Sequence, residues 1–228
     1  MIDISRRQFM GAVGATAAAS AFSMPAIAAG KTIKIGAVQP FSGGLELFGN
    51  QAKMGLDLAV SEINAGGGIL GHQVEMLYED NKTDPKTSVE RAKKLIERDE
   101  VLAISGPITS AGRDAMAATM ERGKTPLLYA TNYEGGICNR YLFSFNTVPN
   151  QDTAPLIPYL KDEGIGDSYY MFGADYVWPR NMFKTAKDII GKIGGSTVGE
   201  EYTPFGVKDF SSIIRKIVDS GAEILLFA

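Results

Sequence analysis

The 228-residue sequence predicts an α/β protein of two lobes, each a parallel sheet carrying helices on both faces. Three observations carry this. From Lys31 onward short apolar runs alternate with longer amphipathic ones. The joints between them hold the capping and breaking residues that start and stop helices. The alternation pauses once, in the turn-rich stretch 146–151, and then resumes.

In the first lobe, "TIKIGAVQ" (32–39) reads as a strand. "FGNQAKMGLDLAVSEINAGGG" reads as a helix with an apolar face of Ala52, Leu56, Ala59, Val60 and Ile63, ended by Gly66 to Gly68. "HQVEMLYED" alternates as a half-buried strand. In "DPKTSVERAKKLIERD" Asp84 is placed to cap, Pro85 to open the helix, and Val89, Ala92, Leu95 and Ile96 to form one face. "VLAISG" (101–106) is a strand, "SAGRDAMAATMERG" a helix and "TPLLYAT" a strand. Such alternation implies right-handed crossovers and a parallel sheet.

An extended run through "YLFSFNTVPNQDTAP" leads out of the first lobe. The second lobe then reads as helix 152–163, strand 168–172, helix 177–193, strand 197–202, helix 208–220 and strand 223–227. Pro155 fits a first helical turn. Pro158 does not, because an interior proline removes a hydrogen bond and crowds the preceding turn.

The first residues are of another kind. "SRRQFMGAVGATAAASAFSMPAIAAG" pairs Arg6 with Arg7 ahead of a short Ala-rich apolar stretch and ends in small residues suited to signal peptidase. The "SRRQFM" form matches a twin-arginine export signal over 1–29, and Gly, Ser and Thr dilute the run too much for a spanning helix. The expected organisation is therefore a signal over 1–29, an N-terminal lobe over 30–146 and a partial second lobe over 147–228, in a protein free in the periplasm. Losing the signal removes two arginines and one aspartate, which takes the formal charge from −3 to −4. An acidic chain without a basic tract is a poor nucleic-acid binder. Cys138 is the single cysteine, so no intrachain disulfide forms, and it lies too far from the signal to carry a lipid.

In a parallel sheet, ligands gather beyond the carboxyl ends of the strands. Three junctions there are unusually equipped. In "GPITSAG" (106–112), Thr109 and Ser110 either cap their own helix or join its free N–H groups in holding a carboxylate or carbonyl oxygen. In "LLYATNYEGG" (127–136), Tyr129, Thr131 and Tyr133 alternate past a strand end and Glu134 follows; the alternation means either packing on a helix or hydroxyls turned to a polar ligand, with Glu134 accepting from N–H groups. In "GADYVWPR" (173–180), Asp175 is the expected N-cap, and Tyr176 and the sole tryptophan, Trp178, either cover the sheet end or wall a ligand. Catalysis finds little support: His72 is the one histidine, and no metal-ligand spacing, nucleophile elbow or phosphate loop is present. The expectation is a binding protein with no enzymatic residue, metal or cofactor.

"FSG", "AVSEINAGGGILG" and "EDNKTDP" occur in that order, and with them the chain from Lys31 to Ala228 resembles the type 1 periplasmic substrate-binding proteins of ABC importers, the leucine/isoleucine/valine-binding group. "YATNYEGGICN", "PNQ" and "FGADYVWPR" are more similar to the branch that binds urea and short-chain amides. The resemblance implies a membrane permease and ATPase as partners and a small-molecule ligand held by cleft closure. It implies that Ser110 bonds the ligand's polar head, that Tyr129 and Thr131 line the same pocket, that Glu134 meets ligand N–H groups, and that Tyr176 and Trp178 close over it. An amino-acid ligand remains the alternative, with Glu134 or Asp175 as countercharge; a regulator sensing amides is a further one, which the export signal disfavours. Family members cross between lobes three times, and this sequence shows the first crossing, near 146–151, so the second lobe is expected to be truncated and its apolar faces short of partners.

Overall fold

The computed structural model describes residues 32–228. The expected export signal over 1–29 lies outside the described residues. Strands β1 (Ile33–Gln39), β2 (Val74–Asp80), β3 (Ala103–Ser105), β4 (Leu127–Tyr129) and β5 (Leu142–Ser144) form one sheet in the order β2-β1-β3-β4-β5. All its pairings are parallel. Between the strands run α1 (Glu46–Ala65), α2 (Pro85–Glu97) and α3 (Ser110–Gly123). The register sets Gln39 of β1 against Asp80 of β2, so both strands end at the same level and deliver their loops to one rim.

The core of this sheet lies on the α2–α3 side, where Val38, Ile104 and Leu127 from the strands meet Ala92, Leu95, Met116 and Met120 from the helices. Each such side chain taken fully from water contributes roughly 1.5–3 kcal/mol. The start of α2 follows from its sequence: Asp84 accepts a hydrogen bond from the Thr87 N–H, and Pro85 opens the helix. On the opposite face, α1 lies over β1 and β2. Its expected apolar face is only partly realised, because Ala52, Leu56 and Val60 are half-buried while Ala59 and Ile63 are exposed. The helix covers one edge of the sheet, and no described residue packs on its outer side.

The "INAGGGILGH" segment turns α1 back into β2. Asn64 accepts from the Val74 N–H and donates to the Val74 carbonyl, each at 2.8 Å, which supplies β2 with the backbone partner that an edge strand lacks. Gly68 has φ +80°, and a Cβ there would sit 2.1 Å from the His72 carbonyl oxygen, so only glycine fits.

The second sheet is parallel and three-stranded, in the order β7-β6-β8, from β6 (Ser168–Ala174), β7 (Ser196–Thr203) and β8 (Ile224–Phe227). It carries α4 (Thr153–Asp162), α5 (Val177–Lys192) and α6 (Ser211–Asp219). Ile157, Tyr169, Met171, Phe183, Ala186 and Ile190 make its core on the α4–α5 side. On the other side, an apolar groove of about 460 Å³ lies between α6 and the strands, lined by Phe172, Phe210, Ile213 and Phe227 among others. Pro158 does stand inside α4. It has no N–H to offer the Ala154 carbonyl, and the helix ends one turn later. Among the described residues no helix is long and apolar enough to cross a membrane.

Candidate functional site

A cleft of about 350 Å³ opens where the carboxyl ends of the two sheets face each other. From the first sheet it is lined by Ile108 after β3, by Tyr129, Ala130, Thr131 and Asn132 after β4, and by Asn146 after β5; Leu45 and Phe48 from the start of α1 complete that side. From the second sheet come Tyr176 and Trp178. None of these side chains is charged. Four of the six residues that the resemblance implies as ligand-binding, Tyr129, Thr131, Tyr176 and Trp178, therefore meet at one cleft although they lie up to 49 positions apart.

Hydrogen bonds tie the wall from the first sheet together. Tyr129 is fully buried and its hydroxyl donates to the Ile108 carbonyl at 2.9 Å; burial pushes its phenol pKa up. Asn146 donates to the Ala130 carbonyl at 3.0 Å, which ties the end of β5 to the end of β4. Thr109 caps α3, its hydroxyl accepting from the Gly112 N–H at 3.3 Å.

Ser110 and Glu134 stand behind this wall, outside the cleft lining. Ser110 is buried and donates its hydroxyl to Glu134 Oε2 at 2.8 Å. Glu134 Oε1 accepts from Arg113 Nη2 at 2.6 Å. The Arg113 side chain is 1% exposed and its guanidinium lies 4.9 Å from the Tyr129 ring and 5.0 Å from the Tyr133 ring. Burial opposes its charge, but the hydrogen bond and charge of Glu134 outweigh it and hold the Arg113 pKa above its ordinary value. Nη1 of Arg113 is buried with no hydrogen-bond partner among the described residues.

Arg113 is the residue that the sequence reading missed. Its signal was its place in "SAGRDAMAATM": it lies three and seven positions before Met116 and Met120, on the buried stripe of α3, where an arginine is out of place unless paired. Phe205 was missed as well, since nothing in "TPFGVKD" marks it; its ring packs against Tyr176 at a 41° tilt with centroids 5.1 Å apart.

On the second lobe, the N-cap of α5 is Tyr176 and not the expected Asp175. The Asp175 carboxylate is instead taken by Arg180, whose Nε donates at 2.8 Å. With Tyr176 at the cap, Pro179 falls at the third helical position and brings no N–H for a cap to satisfy. Tyr176 sits between Trp178, at 6.4 Å, and Phe205. Burial first, then the charges near Tyr129 and Glu134, drive the Tyr176 phenol pKa far up, so it is a neutral hydroxyl at any physiological pH. Trp178 Nε1 is buried and has no hydrogen-bond partner among the described residues. Among the described residues no group of three His, Cys, Asp or Glu is placed to hold a metal ion.

The two facing parallel sheets, with loops meeting at their carboxyl ends, are the type 1 periplasmic-binding-protein fold, a class of two-lobed binding proteins. The family model described as periplasmic binding protein matches residues 32–228, and the chain belongs to that family. It is 30% identical over 220 residues to the Leu/Ile/Val-binding protein homolog 6 of Brucella abortus, a match covering 92% of this chain and 54% of that protein. Among solved structures it is similar to an ABC-transporter solute-binding protein from R. palustris in complex with 4-hydroxybenzoate (28% identity, TM-score 0.76, 87% of this chain and 54% of that one). It is also similar to the branched-chain amino acid transporter substrate-binding protein of Streptococcus pneumoniae in complex with isoleucine (26% identity, TM-score 0.78, 86% and 57%). The chain spans about half the length of the curated relatives it matches.

Proposed function

We propose that the protein is an extracytoplasmic solute-binding component of an ABC importer that traps a small, uncharged, polar solute, urea or a short-chain amide, between its lobes and presents it to a membrane permease and ATPase. The observation that carries the ligand class is the lining of the cleft: hydroxyls, carboxamides and aromatic faces, with no charged side chain. A flat neutral solute has little surface to bury, so aromatic walls and matched hydrogen bonds must supply both affinity and selectivity. Trp178 Nε1 and the neutral Tyr176 hydroxyl are donors suited to a carbonyl oxygen, while the Thr131 hydroxyl and Asn132 carboxamide offer acceptors to N–H groups. Closure between lobes joins the two walls. The family and the relatives titled as solute- or substrate-binding proteins of transporters support a periplasmic, non-enzymatic role.

A branched-chain amino acid is the second reading, supported by the 30% identical Leu/Ile/Val-binding homolog and the isoleucine complex of the S. pneumoniae protein. It requires countercharges for an ammonium and a carboxylate, and the cleft lining supplies neither. Calorimetric titration with urea, formamide, acetamide, isoleucine and 4-hydroxybenzoate separates the two. Heat with the amides alone is expected; heat with isoleucine alone overturns the proposal. Release of ammonia from any amide during incubation would overturn the binding-only role.

A further inference from the structure

The amino end of α3 has the makings of an anion site. Beside it stand the Ser110 hydroxyl and a buried guanidinium, that of Arg113, whose Nη1 has no hydrogen-bond partner among the described residues, while Thr109 takes the Gly112 N–H of the first turn. An anion already occupies it, and that anion belongs to the chain. Glu134, two residues beyond the cleft-lining Asn132, places one carboxylate oxygen on Ser110 at 2.8 Å and the other on Arg113 at 2.6 Å. Ser110 stands two residues beyond the cleft-lining Ile108, so the Ser110–Glu134 bond ties the two halves of one wall together. The rings of Tyr129 and Tyr133, edge to face with each other, both pack against the guanidinium, and Asp114 takes its Nε at 2.9 Å.

Resting on the ligand class proposed above, we propose that Glu134 is a built-in carboxylate that occupies the anion-ready end of α3 behind this wall and so selects against carboxylate ligands, with Arg113 as the residue that positions it. A ligand carboxylate arriving beside Glu134 meets a like charge and finds the Ser110 hydroxyl and Arg113 Nη2 already engaged by Glu134 and Nε by Asp114. An amide in the same place carries no charge, so it neither meets that repulsion nor needs the engaged donors. Selectivity against anions is thus achieved by filling the site from within, without any charge in the cleft lining itself.

Acetamide and acetate test this, because they match in size and shape and differ in charge. In the unaltered protein acetate is expected to compete with acetamide at least about 100-fold more weakly than acetamide binds, as like-charge repulsion and the engaged donors require; competition at comparable concentration overturns the proposal with no variant needed. In Glu134→Gln, which keeps the shape and removes the charge, acetate affinity is expected to rise about tenfold or more while acetamide affinity falls. In Arg113→Met, acetamide affinity is expected to fall with no gain for acetate, and Arg113→Lys is expected to restore part of it. If these variants shift both ligands by the same factor, Glu134 and Arg113 are structural and the inference fails. If the unaltered protein binds no amide but Glu134→Gln gains acetate, the amide reading fails and the exclusion of carboxylates stands.

Discussion

Gly44, in the loop that leads from β1 into α1, lies against Phe205 from the opposite lobe: a Cβ on Gly44 would stand 3.2 Å from the Phe205 Cβ. Phe205 in turn packs against Tyr176, so this contact at the mouth of the cleft sets the position of a cleft wall. Gly44 also has φ +100°, a conformation that strains any other residue. Gly44→Ala is expected to cost about 1–3 kcal/mol of stability through backbone strain. Ligand affinity is expected to drop about tenfold besides, because the loops must part by a few tenths of an ångström and closure is incomplete. Thermal unfolding measures the first effect and calorimetry the second; a destabilised variant with unaltered affinity would show that the two loops do not meet in the closed form.

Trp178→Phe isolates one donor. The indole Nε1 is buried and unpartnered, so removing it breaks no hydrogen bond in the described structure and relieves an unsatisfied polar group. Stability of the unliganded protein is therefore expected to hold or rise. Affinity for urea or acetamide is expected to fall by roughly fivefold, the worth of one neutral hydrogen bond of about 1 kcal/mol. Lowered stability together with full affinity would place the indole N–H away from the ligand.

The architecture was legible because its signals are local. Asp84 and Pro85 announce α2, and the alternation of periods announces the order of strands and helices. Strand lengths were less legible: the apolar run 101–106 yields only Ala103–Ser105 as β3, since the ladder with β1 and β4 extends no further. The aromatic wall was readable from its place at a strand-to-helix junction. The Ser110–Glu134–Arg113 network was not, because its members come from two junctions 24 positions apart and its cation looked like one more polar residue of an amphipathic helix. Asp175 was misread for a related reason: its side chain has two competing uses, and the guanidinium five residues on outweighs a cap with little to satisfy.

Asp80 makes the rim of the cleft pH-dependent. Its Oδ1 accepts from the N–H groups of Phe41, Ser42 and Lys82 at 3.0, 3.2 and 2.8 Å, and its Oδ2 from the Ser42 hydroxyl at 2.6 Å. Burial pushes the carboxyl pKa up, but these hydrogen bonds outweigh it and hold it below 3.8. A depressed folded-state pKa means that the unfolded chain takes up the proton first. The stabilisation is therefore complete above 3.8 and disappears as pH falls through the lower folded-state value. Asp80→Ala is expected to lose about 2 kcal/mol near neutrality, measured by guanidinium denaturation. The gap between variant and parent should narrow at about pH 3, and an equal gap at both pH values would show that the charge of Asp80 does not hold the loop.

The Arg113–Glu134 pair tests how much of the site's stability is electrostatic. Both side chains are buried, at 1% and 10% exposure, so removing one leaves the other with an uncompensated charge or a lost partner. Arg113→Met is expected to cost about 3–5 kcal/mol, most of it the penalty of stranding the Glu134 carboxylate. If that is its origin, adding Glu134→Met should recover a large part of the loss, because two apolar side chains of similar length can fill the same space without any charge to desolvate. Denaturation of the parent, both single variants and the double variant closes the thermodynamic cycle. A coupling of about 2 kcal/mol or more is expected for partners in direct contact. Additive losses would instead mean that Arg113 stabilises α3 through its packing against Tyr129 and Tyr133, and that Glu134 is held by Ser110 alone.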